Sequence, residues 1–510
     1  MRKLDDEHEM DIMPSPRSES LTLSVLRSAL ADLNRHHISY CYWKSGRNIH
    51  SALAGERDLD LLVARQDQHR VAMLLLALGF KLFPAVASRD HPSVMSFLGH
   101  DEPSGRLVHI HLHVRLVVGE PLLKNYRLPW EEIILARAVL HPTLSVRMLD
   151  PMIEAVLLAV RSSLELRRLD PVMLRNWREA TRKFALDRAD VAARTDRGAL
   201  REMAATLVNG ELADMIVDAI YGDRALEHQH RFRRAIGRHL AIHRTYNGCE
   251  ARLRGAWRAI LWVFGNMNKH LLHVPRPWSR RAPGGGCVVA VVGVDGSGKT
   301  TTMAAIRKWL GSEIDVVPVY FGTGAGRPSL LLRPFKLLVP LMSRILKEKP
   351  KGASHGNVSG RAPGPLYSIL MMGWATIVAR EKRNKLLSAR RGADRGLVVI
   401  TDRYPQDEII GFNDGPLLTR LTTVPNWLRR VEADSYRLVR RLVPDLVIKL
   451  DVLTETAARR EPDMDPALIS ERIADLQRLT FAGASVVRVD AEQPLVEVIR
   501  AVKREIWRML

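Results

Sequence analysis

The stretch Gly293-Val294-Asp295-Gly296-Ser297-Gly298-Lys299-Thr300 has the spacing G-x-x-x-x-G-K-[ST]. Its glycines let backbone N–H groups curl around phosphate oxygens, and a helix beginning at Thr301 would turn its positive end toward them. Lys299 then belongs on the β and γ phosphates of a triphosphate. The Thr300 hydroxyl is placed to ligate Mg2+, whose charge offsets that of a phosphoryl group in transfer. An apolar run, Cys287 to Val292, leads directly into the loop, giving the order strand, loop, helix that the motif requires. The implied cofactors are ATP and Mg2+. The candidate ATP-binding residues are Gly293, Asp295, Gly296, Ser297, Gly298, Lys299, Thr300 and Thr301.

A second set of polar residues lies near the start of the chain. Asp58 and Asp60 sit in the run Asp58 to Val63, where strand alternation puts both carboxylates on one face. Carboxylates so placed could hold a metal ion for attack on a nucleotide α-phosphate. With Trp43-Lys44-Ser45 before it and Gly55 to Val63 around it, this segment resembles the start of a nucleotidyltransferase-like domain, G-[GS], a spacer, then D-x-D. Lys44 stands where that pattern has a glycine. His109, His111 and His113 stand on the later strand where that family carries its third carboxylate. The domain is therefore expected to be degenerate or structural, with nucleotidyl transfer as the alternative. The histidines alternate with Val108, Ile110, Leu112 and Val114, so they share a strand face. Such a row could bind zinc, but the plainer expectation is a half-exposed strand with polar histidines, because no fourth ligand lies nearby in sequence.

Further segments past the phosphate loop carry a resemblance. Leu397 to Tyr404, LVVITDRY, resembles the DRY or DRH motif of thymidylate kinases, and Asp295 to Thr300 matches that family's D-G-x-G-K-[ST] loop. Pro444 to Val452 is similar to its penultimate strand, and Val486 to Trp507 to its closing strand and helix. The resemblance implies that Asp295 accepts a hydrogen bond from the acceptor's sugar hydroxyl, that Asp402 holds Mg2+ or its water, and that Arg403 clamps phosphate through its planar fork. It places a mobile lid from Arg459 and Arg460, with Arg472 and Arg478 on the next helix. One or two of these four would stabilise the charge of the transferring group. The family's R-E-P-G-G-T loop is replaced by Phe321 to Ser329, in which Arg327 could grip an acceptor phosphate beside Tyr404. The family's base-contacting S-x-x-A-Y-Q is also replaced, by Pro405 to Ile409, which leaves the acceptor open between a dTMP-like nucleotide and another phosphorylated molecule.

The elements that must position these residues follow from pattern. The apolar runs Val288 to Val292, Val316 to Phe321, Leu397 to Thr401, Leu446 to Leu450 and Val486 to Val489, with helices between them, read as strands buried on both faces. They predict a three-layer α/β/α P-loop domain with a five-stranded parallel sheet over 287–510, its ligands at the carboxyl ends of the strands. Before it, PRPWSRRAPGGG at 275–286 reads as a linker. Residues 151–274 read as a basic helical region, and 1–150 as a small α/β unit whose helix near Gln66 to Leu78 ends on Gly79.

The 510 residues allow more than one core. Three well-separated cysteines fit neither a disulfide framework nor a thiolate metal site. With no signal-peptide pattern at Met1 to Asp11 and no apolar run long enough to span a bilayer, a cytoplasmic protein is expected. The net charge of +21 favours anionic partners. Much of it lies at Arg231, Arg233, Arg234, Arg238, Arg244, Arg252, Arg254 and Arg258. The implied partners are a nucleotide or other phosphorylated small molecule, an anionic membrane or polymer against that basic stretch, and a second copy of the chain. The reading as a whole is an ATP- and Mg-dependent phosphotransferase, with a non-catalytic ATP-binding scaffold as the rival.

Overall fold

The computed structural model describes residues 22–91, 93–167, 170–268, 271, 274–322, 365–409, 415–416, 418 and 425–510. The chain divides into two compact units, Met1–Lys81 with His91–Gly255, and Leu82–Asp90 with Ala256–Leu510. Arg327 lies outside the described residues.

The first unit is built on a mixed sheet. Its strands are β1 (Tyr40–Tyr42), β2 (Leu59–Val63), β3 (Lys81–Leu82), β4 (Val94–Asp101), β5 (Arg106–His113), β8 (Val139–Leu140) and β9 (Arg147–Met148), in the order β3-β4-β5-β2-β1-β9-β8. A separate ribbon pairs β6 (Leu116–Val118) with β7 (Tyr126–Leu128). Period-2 alternation gives the sheet two apolar faces. Tyr40, Tyr42, Leu59, Leu61, Ile110 and Leu112 enter one core, while Cys41, Trp43 and Leu62 join a second core made largely by helices. At its centre is the helix Pro151–Glu165, buried at every residue from Ile153 to Leu164. Asp150 caps it by accepting from Met152 N, and Pro151 occupies the first turn, where no N–H is needed. The helix Gln68–Ala77 ends as its sequence predicts, with Gly79 at φ +82°.

The second unit carries β10 (Cys287–Gly293), β11 (Val316–Tyr320), β12 (Val398–Asp402), β13 (Leu446–Asp451) and β14 (Val486–Asp490), a five-stranded sheet in the order β11-β12-β10-β13-β14. Every pairing is parallel. The continuous apolar runs are explained by position: β10 is buried throughout and β13 nearly so, whereas the edge strands β11 and β14 are partly exposed. Pro318, which has no N–H to give a ladder, sits on the edge strand β11. Leu386, Ala389 and Ala393 of the helix Pro365–Asp394 join Val288, Ala290 and Val292 in one core. The helices Lys299–Gly311 and Leu495–Met509 pack on each other and on the sheet.

Several arginines of the basic stretch are spent internally. Arg233 donates to Leu166 O at 2.8 Å, Arg244 to the Tyr126 hydroxyl at 3.2 Å, and Arg258 to Asp90 O at 3.2 Å. On the helix Gly248–Met267, Leu253, Trp257, Ile260 and Phe264, spaced four, three and four apart, are exposed. Among the described residues no helix is long and apolar enough to cross a membrane.

Candidate functional site

The phosphate loop spans the gap between Gly293, the last residue of β10, and Lys299, the first of the helix Lys299–Gly311. Two of its glycines are left-handed, Gly296 at φ +80° and Gly298 at φ +85°, a conformation costly to residues with a Cβ. Space differs between them. A Cβ on Gly296 would stand 2.9 Å from Ala457 O, whereas one on Gly298 would meet nothing within 4 Å. Ser297 is buried behind the loop, and neither its hydroxyl nor that of buried Thr302 has a partner among the described residues. Lys299 is buried too, its Nζ donating to Val294 O at 2.7 Å and lying 3.6 Å from Asp295 Oδ1. Burial holds this ammonium below its ordinary range, opposed chiefly by the Asp295 carboxylate. Thr300 and Thr301 are exposed at the head of the helix.

Strand register brings the Asp-Arg-Tyr segment beside the loop. β12 runs parallel to β10 with Asp402 opposite Val291, and parallel to β11 with Asp402 opposite Tyr320. Arg403 then turns into the left-handed region at φ +64°, its N–H held by Val291 O at 3.1 Å. An L-residue there stores roughly 1–2 kcal/mol of strain. The turn delivers the guanidinium to Asp295 Oδ1 at 3.0 Å, and Arg472, from the helix Pro466–Arg478, reaches Asp295 Oδ2 at 3.3 Å. Three cations thus converge on one carboxylate.

The remaining lid arginines separate by geometry. Arg460 donates to Gly296 O at 3.0 Å, so it touches the loop itself, while Arg459 bonds Thr456 Oγ1 at 3.3 Å within its own helix. Arg478 is exposed, 4.0 Å from Asp475. Tyr404 is buried, its ring 5.6 Å from that of Phe321 and its hydroxyl donating to Leu442 O. Gln406 is tied to both backbone groups of Ile409. The oxygen donors Thr300 and Asp402, with no nitrogen or sulfur ligand in the set, suit a hard cation such as Mg2+. Sequence reasoning missed Thr302, whose hydroxyl sits on a buried helix turn with no motif to mark it.

In the first unit, β2 and β5 are parallel neighbours with Asp60 opposite His111. Asp58 Oδ1 lies 3.0 Å from His109 Nδ1, and Asp60 Oδ1 lies 3.2 Å from His113 Nε2. His111 Nδ1 stands between the carboxylates, 3.6 Å from Asp58 Oδ2 and 3.4 Å from Asp60 Oδ1. The expected half-exposed histidine strand is corrected here: His109 and His113 are buried, because their face of the sheet is covered, the His113 ring lying 4.9 Å from that of Trp43 with Lys44 and Lys124 close by. Lys44, in the place of the pattern's glycine, packs its Nζ 4.0 Å over the Trp43 ring. Burial and the nearby Arg161 push its pKa down to about 7. Arg161 and Lys124 also belong to this neighbourhood. The available sequence signal for Arg161 was a basic residue inside a largely apolar helix.

Solved structures of deoxyadenosine kinase from M. mycoides, one with bound dCTP and one with bound dATP, match 43% of this chain and 98% of theirs, at 15% and 17% identity with TM-scores of 0.25 and 0.26. No family model matches the chain. Among curated proteins, the ATP-binding protein YghR of Escherichia coli (strain K12) is 27% identical over 227 residues, 43% of this chain and 86% of YghR. The ATP-binding protein YghS of the same strain is 32% identical over 227 residues, 44% of this chain and 93% of YghS. Likeness of that degree over nearly all of the relative makes this chain a member of the family of the Escherichia coli ATP-binding protein YghS.

Proposed function

We propose that the second unit is an ATP- and Mg-dependent P-loop phosphotransferase, resembling thymidylate kinase in its loop and its Asp-Arg-Tyr segment. The observation that carries the reading is the convergence of Lys299, Arg403 and Arg472 on Asp295 at the mouth of a glycine-bounded loop. Cations gathered at a helix N-terminus favour a phosphate chain. The ATP-binding relatives agree with it.

In this reading the loop N–H groups and Lys299 hold the β and γ phosphates, and an acceptor oxygen attacks the γ phosphorus in line. The bond from that phosphorus to the bridging oxygen breaks, and ADP leaves with the electron pair. Thr300 and Asp402 would hold Mg2+, which would supply charge neutralisation on the phosphates. Arg403 and Arg472 face the charge that develops on the transferred group, and Arg460 can join them from its bond to Gly296 O. Asp295 is released from its ion pairs as phosphate takes over the arginines, which leaves it able to accept from an acceptor hydroxyl.

The acceptor class is a nucleoside monophosphate, dTMP first, or another phosphorylated small molecule gripped by Arg327. The setting proposed is cytoplasmic. Among the described residues all three cysteines are free, as a reducing compartment would leave them. Purified full chain given ATP, Mg2+ and a panel of nucleoside monophosphates and sugar phosphates should form ADP and a phosphorylated product. Lys299→Ala should reduce the rate by a factor of at least ~100, as loss of one transition-state charge contact does. ATP binding with no product from any acceptor would establish the scaffold instead.

A further inference from the structure

The first unit holds an Asp/His cluster that the phosphotransferase reading does not use. The parallel register of β2 and β5 places Asp58 and Asp60 on one strand beside His109, His111 and His113 on the next, all on the same face. Their ligand atoms form two overlapping trios, Asp58 with His109 and His111, and Asp60 with His111 and His113, each within 4.8 Å.

The spacings discriminate between ordinary hydrogen bonding and metal ligation. Two contacts, 3.0 Å for Asp58 to His109 and 3.2 Å for Asp60 to His113, would serve as hydrogen bonds. His111 is placed differently. Its Nδ1 lies 3.6 Å from Asp58, too far for a hydrogen bond, and 3.4 Å from Asp60, a long one. A zinc ion with bonds of about 2.0–2.1 Å in a tetrahedron sets its ligands roughly 3.3–3.4 Å apart along each edge. The 3.0–3.6 Å separations bracket that edge.

The donor set points the same way. Imidazole nitrogens suit zinc and its neighbours among the transition ions, whereas Mg2+ takes oxygen in an octahedron. His113 is fully buried and turns its Nε2 toward Asp60, 3.2 Å away. Asp58, with 43% of its side chain exposed, leaves a path for solvent to a fourth position. A merely structural polar row would not need its central ring equidistant from two carboxylates.

We propose that Asp58, His109 and His111 hold a divalent transition-metal ion, zinc being the expected one, with the Asp60–His113 pair standing beside His111. The site replaces the paired-carboxylate magnesium chemistry that the D-x-D motif suggests.

Full chain stripped with EDTA and desalted is titrated with Zn2+ by calorimetry in excess Mg2+, then with Co2+ while visible absorption is recorded. One zinc per chain is expected, undisturbed by Mg2+, together with the intense visible bands of tetrahedral cobalt. His111→Gln should weaken zinc by more than the roughly 10–100-fold that loss of a supporting hydrogen bond costs a metal site. Asp58→Asn, at a side chain exposed enough to spare the fold, should weaken it as well, and far-UV circular dichroism checks both variants. The proposal is overturned by absence of zinc binding, by Mg2+ competing on equal terms, by weak octahedral cobalt bands, or by zinc affinity unchanged in Asp58→Asn.

Discussion

Gly296 and Gly298 have nearly the same backbone and should nevertheless fail in different ways when a methyl group is added. Both hold φ above +80° or at it, so Gly296→Ala and Gly298→Ala each incur roughly 1–2 kcal/mol of backbone strain. At Gly298 the new methyl meets nothing within 4 Å, so folding loses only that strain. At Gly296 it stands 2.9 Å from Ala457 O and 3.3 Å from Glu461 Cγ. That carbonyl is fixed by accepting from Glu461 N at 2.9 Å and cannot yield cheaply. Overpacking of this kind adds about 1–3 kcal/mol, for a total near 2–5 kcal/mol. Affinity should run the other way relative to stability. The open space at Gly298 faces the head of the helix, where the reading puts phosphate oxygens, so Gly298→Ala should lose ATP affinity far beyond the tenfold that ~1.4 kcal/mol of strain represents. Thermal unfolding and ATP calorimetry on both variants supply the comparison. If Gly298→Ala binds ATP as the parent does, or Gly296→Ala proves the more stable of the two, the assignment of that space to phosphate is wrong.

Other consequences are quickly stated. Burial lowers the pKa of Lys299 in the free protein, so the folded chain binds fewer protons than the unfolded chain below the ordinary lysine value, and this contribution to stability improves as pH rises. A triphosphate beside Lys299 reverses the shift. ATP binding at a pH just below the ordinary lysine value should therefore take up protons, read by calorimetry in two buffers of different ionisation enthalpy, and Lys299→Arg should take up none. Arg460, bonded to Gly296 O, and Arg459, bonded inside its helix, should differ in turnover: Arg460→Ala by about 10-fold or more and Arg459→Ala by less than a few-fold, since only the first contacts the loop. Cys249 is exposed, while burial pushes the Cys41 thiol up and the Cys287 thiol up to about 12. A thiol reagent should then modify Cys249 alone in the native chain and all three cysteines after denaturation.

The parallel sheet was legible because its signals are local: uninterrupted apolar runs mark strands covered on both faces, and the loop motif marks where the first of them ends. Each expected strand appears within a residue or two of its predicted bounds. Long-range pairing was not legible. Arg472 meets Asp295 across 177 positions of sequence, and only the fold makes them neighbours. The histidine row shows the same limit from the other side. Alternation correctly put His109, His111 and His113 on one face, but exposure depends on what packs over that face, and nothing local says that Trp43 lies against His113. Charge counting misled for a related reason: Arg233 and Arg258 look like free surface cations in sequence, yet donate to backbone carbonyls.

The balance of charge around Asp295 bears on whether the loop is a ligand site or only a turn. A structural ion pair at a strand end needs only one cation for one carboxylate. Here Asp295 faces Arg403, Arg472 and Lys299 together, with the Asp402 carboxylate also near Lys299, at the head of a helix whose own dipole is positive at that end. Arg403 also holds a strained backbone to be there. Cations gathered in this way favour a group more negative than a single carboxylate. A triphosphate meets that requirement, and the flexible glycine backbone leaves room for it on the side where Gly298 is open.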